Sequence, residues 1–191
     1  SGEMRRLFIE CFEQENVLAA DSNFFAMFNY PLVGGNAETA LTLANTMVMT
    51  ESIAKKYFGH ENAVGKLMRV GSGEEEKTYE VSAVVKDLPE NSYIQFDMLL
   101  SMESFPMVER MRWSWVWTQL ETYVRLAENT NVENTRVKMA GIPRKHAEET
   151  LQRAMHMSFD DYIKSGKKWE LFLQPLTSIH LPSEVVYNRI N

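Results

Sequence analysis

The chain has little cysteine, no long apolar run and no excess of positive charge, and each shortage removes a class of protein. Cys11 is the only cysteine among 191 residues, so an internal disulfide framework is excluded while the redox compartment stays open. Cys11 alternates with Leu7 and Ile9 and reads as buried filler rather than a reactive thiol. No apolar stretch approaches the roughly 18 residues that span a bilayer, and no secretory signal opens the chain. As given, the chain is expected to be soluble, and Ser1-Gly2 has the look of a cloning remnant on a piece of a longer protein. The formal charge of -6 makes a nucleic-acid backbone a poor partner, because that binding needs clustered Lys and Arg.

Catalytic signatures are equally scarce. His60, His146, His156 and His180 are scattered and show no zinc-ligand spacing. No G-x-S-x-G elbow occurs, and the paired acids Glu148-Glu149 and Asp160-Asp161 are sequence neighbours that diverge on a helix. The twelve methionines sit mostly at core-like positions and read as packing.

What is present begins with Met49 to Lys66, M-T-E-S-I-A-K-K-Y-F-G-H-E-N-A-V-G-K, which superficially resembles a phosphate-binding loop. Five residues separate Gly59 from Gly65 where the motif needs four, and Leu67 stands where a hydroxyl should bind magnesium. The helix also precedes the glycines, so no helix N-terminus faces a phosphate. Thr50 is instead an N-cap, and Ile53, Ala54, Tyr57 and Phe58 recur on one helical face. Gly59 falls at the left-handed C-cap. With Met47–Met49 before it and Lys66–Val70 after it, the segment reads as strand, helix, turn, strand.

Elsewhere, strands are predicted at Leu7–Gln14 and Asn16–Ala20, followed by a short aromatic helix at Phe24–Phe28 that Tyr30–Asn36 breaks. Tyr79, Val81, Ala83 and Val85 alternate as one strand face, and Ile94, Phe96, Met98 and Leu100 as another. With the D-L-P-E-N-S turn between them, the two strands are expected to pair as an antiparallel, hairpin-like unit. A helix around Glu103–Arg110, limited by Pro106, leads to Trp113, Trp115 and Trp117 at period two on a strand. These tryptophans form either a core wall or a ligand or partner contact face.

Leu120–Leu126 then alternates, and Thr130 with Glu133 has capping-box spacing before a helix that Pro143 interrupts or ends. A second helix carries Ala147, Leu151, Ala154 and Met155 on one face, and Trp169–Leu173 reads as a strand. Leu120–Leu173 is therefore expected to form a β-α-β unit. The expected fold class is α+β with at least two subdomains.

The blocks D-S-N-F-F-A-M-F (21–28), L-V-G-G-N (32–36), T-E-S-I-A-K-K-Y-F-G-H-E-N-A-V-G-K (50–66), D-L-P-E-N-S-Y-I-Q-F-D (87–97), T-Y-V-R-L (122–126) and L-Q-P-L-T-S-I-H-L (173–181) occur in one order. That order resembles the extracytoplasmic core domain of MacB-like, FtsX-family ABC transporter permeases of the Bacteroidetes type. The resemblance implies a periplasmic domain of an inner-membrane permease, with a porter-like βαβ subdomain at residues 1–31 and 118–191 and an inserted, mostly β subdomain at 32–117. The N-terminal porter portion would be incomplete.

The resemblance further implies a non-catalytic module with no cofactor of its own, since ATP is used by a separate cytoplasmic ATPase. Its motion would be relayed across the membrane to handle a peptide, lipoprotein or amphiphile. Implied partners are the ABC ATPase subunit or domain, a second permease in a homo- or heterodimer, and an envelope protein. The alternative is a ligand-sensing or binding module using the Trp113, Trp115 and Trp117 face.

Overall fold

The computed structural model describes residues 16–71, 73, 76–111, 113–115 and 121–178. The expected strand at Leu7–Gln14, Cys11, Trp117 and His180 lie outside them. The chain separates into two compact units, residues 1–110 and 111–191.

Among the described residues the first unit forms a six-stranded mixed sheet. Its strands are β1 (Val17–Ala20), β2 (Leu32–Gly35), β3 (Thr46–Thr50), β4 (Leu67–Val70), β5 (Lys77–Val85) and β6 (Met98–Ser101). Their spatial order is β1-β6-β3-β5-β2, with β4 also paired to β5. Helices α1 (Phe24–Met27), α2 (Glu51–Phe58) and α3 (Pro106–Met111) join them. All five residues of β3 are buried, as expected of a strand covered on both faces.

Side-chain alternation sends Met47, Met49, Met98 and Leu100 to one core, where Ile53 of α2 packs with Tyr79 and Val81. Val48 and Leu99 face the opposite core with Phe24, Leu41, Ala83 and Val85. Tyr79, Val81, Ala83 and Val85 therefore do not share one face as the alternation suggests. A register shift opposite Met47/Val48 inserts an extra residue, and such a bulge turns every later side chain over.

The hairpin expected between β5 and β6 is also corrected. β5 pairs in parallel with β3 and antiparallel with β2 and β4, while β6 lies between β1, in parallel, and β3, antiparallel. Crossover through α2 delivers β5 to the position beside β3, and the strand–helix–strand unit thus falls at residues 46–85. Tyr30–Asn36 breaks the aromatic helix as expected and itself supplies β2. Gly35, at φ +86°, could not carry a side chain, because a Cβ there would lie 2.3 Å from the Ser82 carbonyl oxygen.

Three serines fasten the long β2–β3 loop to this sheet. Ser82 Oγ lies 2.5 Å from the Ala40 carbonyl and 2.8 Å from that of Met47, Ser101 donates to Leu41 O at 2.9 Å, and Ser104 Oγ accepts from Asn45 N–H at 2.8 Å. α3 begins at Pro106, a position where the missing N–H costs nothing.

The second unit contains α4 (Val132–Met139), α5 (Ile142–His146), α6 (Glu148–Met155) and α7 (Phe159–Lys164). Its core gathers Ala147, Leu151, Phe159 and Tyr162, with Trp115, Met155, Met157 and Trp169 against it. The α4 N-cap is Asn131, whose side chain accepts from Asn134 N–H at 2.9 Å, and not Thr130, which donates to Ala127 O. Asn is the stronger cap of the two. Pro143 lies buried in the first turn of α5, so it starts a helix rather than interrupting one.

Among the described residues of this unit no strand forms. The strands expected at Trp113–Trp117, Leu120–Leu126 and Trp169–Leu173 are therefore corrected over their described residues, 113–115, 121–126 and 169–173, and with them the β-α-β unit expected over 120–173. Alternation alone does not make a strand without a ladder partner, and Val124 and Phe172 are exposed. β1, which falls in the expected 1–31 portion, is laddered to β6 of the expected 32–117 insert.

Candidate functional site

Trp113 and Trp115 are brought together by one threonine. Thr150 is fully buried in α6; its hydroxyl donates to the Trp113 carbonyl at 2.8 Å and accepts the Trp115 N–H at 3.1 Å. Arg153, one turn of α6 further on, lays its guanidinium 5.0 Å over the Trp113 ring, and Glu149 pairs with it at 2.6 Å. His146 stacks on Trp115 at 5.8 Å with ring planes 11° apart.

Both indoles are thus half-buried, each with a face already covered, in a turn rather than along a strand. Ser114 Oγ between them is buried without a hydrogen-bond partner among the described residues. Trp117 lies outside the described residues. The sequence reading missed Thr150 because it placed Ala154 on the buried stripe. Ala154 is exposed and Thr150 is not, although its position beside Leu151 and three residues after Ala147 carried the signal.

The Met49–Lys66 segment forms the capped helix and turn expected of it. Thr50 accepts from Ile53 N–H at 3.5 Å, and Gly59 ends α2 at φ +65°. Asp87, unforeseen in the sequence, adds a second cap by accepting from Ser52 N–H at 2.8 Å and Ser52 Oγ at 2.6 Å. The Gly65 N–H, which a phosphate would require, donates to Val81 O at 2.8 Å. Lys66 ion-pairs with Glu61 and lies 5.2 Å over the Phe58 ring. Its hydrogen bond, then its charge, holds the Glu61 carboxyl below the usual range.

A shallow groove of about 390 Å³ runs beside this turn, with Val33, Ala54, Lys55, His60 and Val64 among its lining residues. No nucleophile and base meet in it. Among the described residues no three His, Cys, Asp or Glu side chains converge as a metal site.

Fold and site together describe a mixed α/β module whose polar side chains are spent on capping, loop anchoring and surface pairing. The chain belongs to the family of MacB-like periplasmic core domains, whose family model matches residues 6–142. Its architecture is that family's mixed α/β fold with an inserted β-rich subdomain, and it is a periplasmic, non-catalytic domain of a membrane-embedded ABC-type permease. A domain assigned to a permease of Porphyromonas gingivalis is similar at 27% identity and TM-score 0.53, over 67% of this chain and 58% of that one.

The periplasmic region of MacB from Actinobacillus actinomycetemcomitans shares 14% identity over 79% of this chain and 64% of its own, at TM-score 0.37. The chain therefore spans less than two thirds of either structure. No curated protein matches it. No helix among the described residues is long and apolar enough to cross a membrane.

Proposed function

We propose that this domain relays motion driven by ATP hydrolysis elsewhere, in an inner-membrane permease that handles a peptide, lipoprotein or amphiphile. The observation that carries the reading is the family match over residues 6–142. A cytoplasmic ABC ATPase would supply the energy, so the domain itself needs no cofactor. A second permease copy or paralogue, and an envelope protein, would complete the assembly.

The test is a pair of spin labels on the sheet unit and the membrane region of the parent permease. Their distance should change between the ATP-bound and nucleotide-free states, and an invariant distance would overturn the relay.

The subdomain division at residues 1–31 with 118–191 around 32–117 belongs to this proposal as well. A second reading makes Trp113 and Trp115, with Trp117, a contact for an apolar ligand or partner, on the ground that Trp113 and Trp115 are half-exposed. Tryptophan emission titrated with lipid and peptide would shift under that reading and stay constant otherwise.

A further inference from the structure

We propose that the β1–β6 pair is a shear-loaded mechanical clamp, through which a pull entering at the N-terminal side of the sheet unit leaves toward residue 110. The inference rests on the relay reading, and concerns how the domain bears load rather than whether it receives any.

Direction follows from topology. β1 and β6 run parallel, Val17 beside Met98 and Ala20 beside Ser101, so the chain enters β1 at one end of the pair and leaves β6 at the other. Opposed pulls at those two points act along the strands and load every inter-strand hydrogen bond at once. Pulls applied at the same end of both strands would break the bonds one after another.

The entry point is reinforced where such a load is greatest. Asn16 N–H donates to Asp97 Oδ2 at 2.7 Å, Asn16 Nδ2 donates to Gln95 O at 2.7 Å, and Asp97 N–H donates to Asn16 O at 2.8 Å. The Asp97 carbonyl also accepts Thr50 N–H at 3.0 Å, which ties the lock to β3 at the sheet centre. β6 itself is buried along its whole length between β1 and β3. Exit from β6 is anchored by Ser101 and Ser104, which fasten it to the β2–β3 loop.

Single-molecule force spectroscopy on the full chain tests this. One handle is attached at the N-terminus of the chain in a Cys11→Ser background, and the second is a cysteine introduced by Arg110→Cys for shear or by Asn91→Cys for peeling, both at exposed positions. Because forced unfolding follows the barrier along the pulling direction, the shear geometry should rupture at a force at least about twofold higher than the peeling geometry. Asp97→Ala removes the acceptor of the Asn16 N–H and should lower the shear rupture force, and, because this lock is the first contact loaded in peeling, the peeling force as well.

Equal rupture forces in the two geometries, or a higher force on peeling, would overturn the clamp. So would an Asp97→Ala variant whose shear rupture force is unchanged. Neither result touches the relay, which the label distances in the parent permease decide separately.

Discussion

The two units hold themselves together by different means. Residues 17–101 are laced by strand pairs far apart in sequence, Met47 with Leu100 and Val17 with Met98, and the sheet has a core on each face. The described part of residues 111–178 rests on consecutive short helices around Ala147, Leu151, Phe159 and Tyr162. In α4 no residue is buried at all, whereas α2, of equal length, buries Ile53. Stability in the sheet unit is a cooperative property of non-local pairing, while in the helical unit it depends on a few side chains and local caps.

The largest test of that contrast places the same truncation in each unit. Leu99 and Leu151 are both essentially inaccessible, and Leu→Ala at such sites costs about 2–5 kcal/mol. All four tryptophans of the sequence, 113, 115, 117 and 169, belong to the second unit, so their fluorescence reports on it selectively. Leu151→Ala should lower the denaturation midpoint read by fluorescence and leave the sheet signal in circular dichroism in place; Leu99→Ala should do the reverse. Coincident shifts in both probes would show one cooperative body and break the comparison.

Thr150→Val probes the helical unit more finely. It keeps the shape of the side chain but removes the hydroxyl that joins Trp113 O to Trp115 N–H. Leaving those groups unpaired should cost about 1–3 kcal/mol, with a red-shifted tryptophan emission as the turn loosens. An unchanged spectrum and midpoint would mean that the indoles are held by ring contacts with His146 and Arg153 instead.

How much of this was legible in the sequence differs between the units for the same physical reason. β3, α2 and β4 could be read from local pattern, and Thr50 and Gly59 stand where the helix signals put them, because caps are a property of adjacent residues. The neighbours of β5 could not be read. Pairing with β3 depends on a crossover, and the bulge that sends Val81 and Ala83 to opposite cores leaves no mark in the local pattern. In the second unit the period-two tryptophans obey a strand rule, yet Trp113 sits in a turn because Thr150, 37 residues away, claims its carbonyl. Asp87 capping Ser52 across 35 residues was hidden likewise, since nothing in D-L-P-E-N-S points to α2.

Matched cap deletions carry the contrast to smaller energies. Thr50→Ala and Asn131→Ala each remove an N-cap, a change that costs about 0.5–2 kcal/mol where the helix is coupled to the fold. For α2, packed on the sheet through Ile53, the loss should appear in the global unfolding midpoint, partly offset by Asp87. For α4, with no buried residue, it should appear as faster amide exchange in Asn134 and Thr135 with the midpoint unmoved. Equal global effects would show α4 to be as firmly docked as α2.

The smallest effects are pH-linked, and they separate a buried group from an exposed one within the sheet unit. Burial raises the Tyr79 pKa, against a smaller opposing effect of its hydrogen bond with Ser104. Its folded state therefore holds the proton more tightly than the unfolded chain, so this stability is fully present below the ordinary tyrosine value near 10 and is lost as pH rises through the folded value. The alkaline fall in the sheet midpoint should flatten in Tyr79→Phe. Glu61 is shifted the other way, its carboxyl lowered by the Lys66 hydrogen bond and then by the Lys66 charge. Its contribution is present above the ordinary carboxylate range and lost as pH falls through the lowered value. Glu61 is exposed, and solvent and salt screen such a pair, so Glu61→Gln should leave the midpoint at neutral pH unchanged within error. A clear loss in that variant would mean that the Glu61–Lys66 pair braces the turn after α2, giving a surface contact in the sheet unit the weight that the contrast reserves for its ladders and cores.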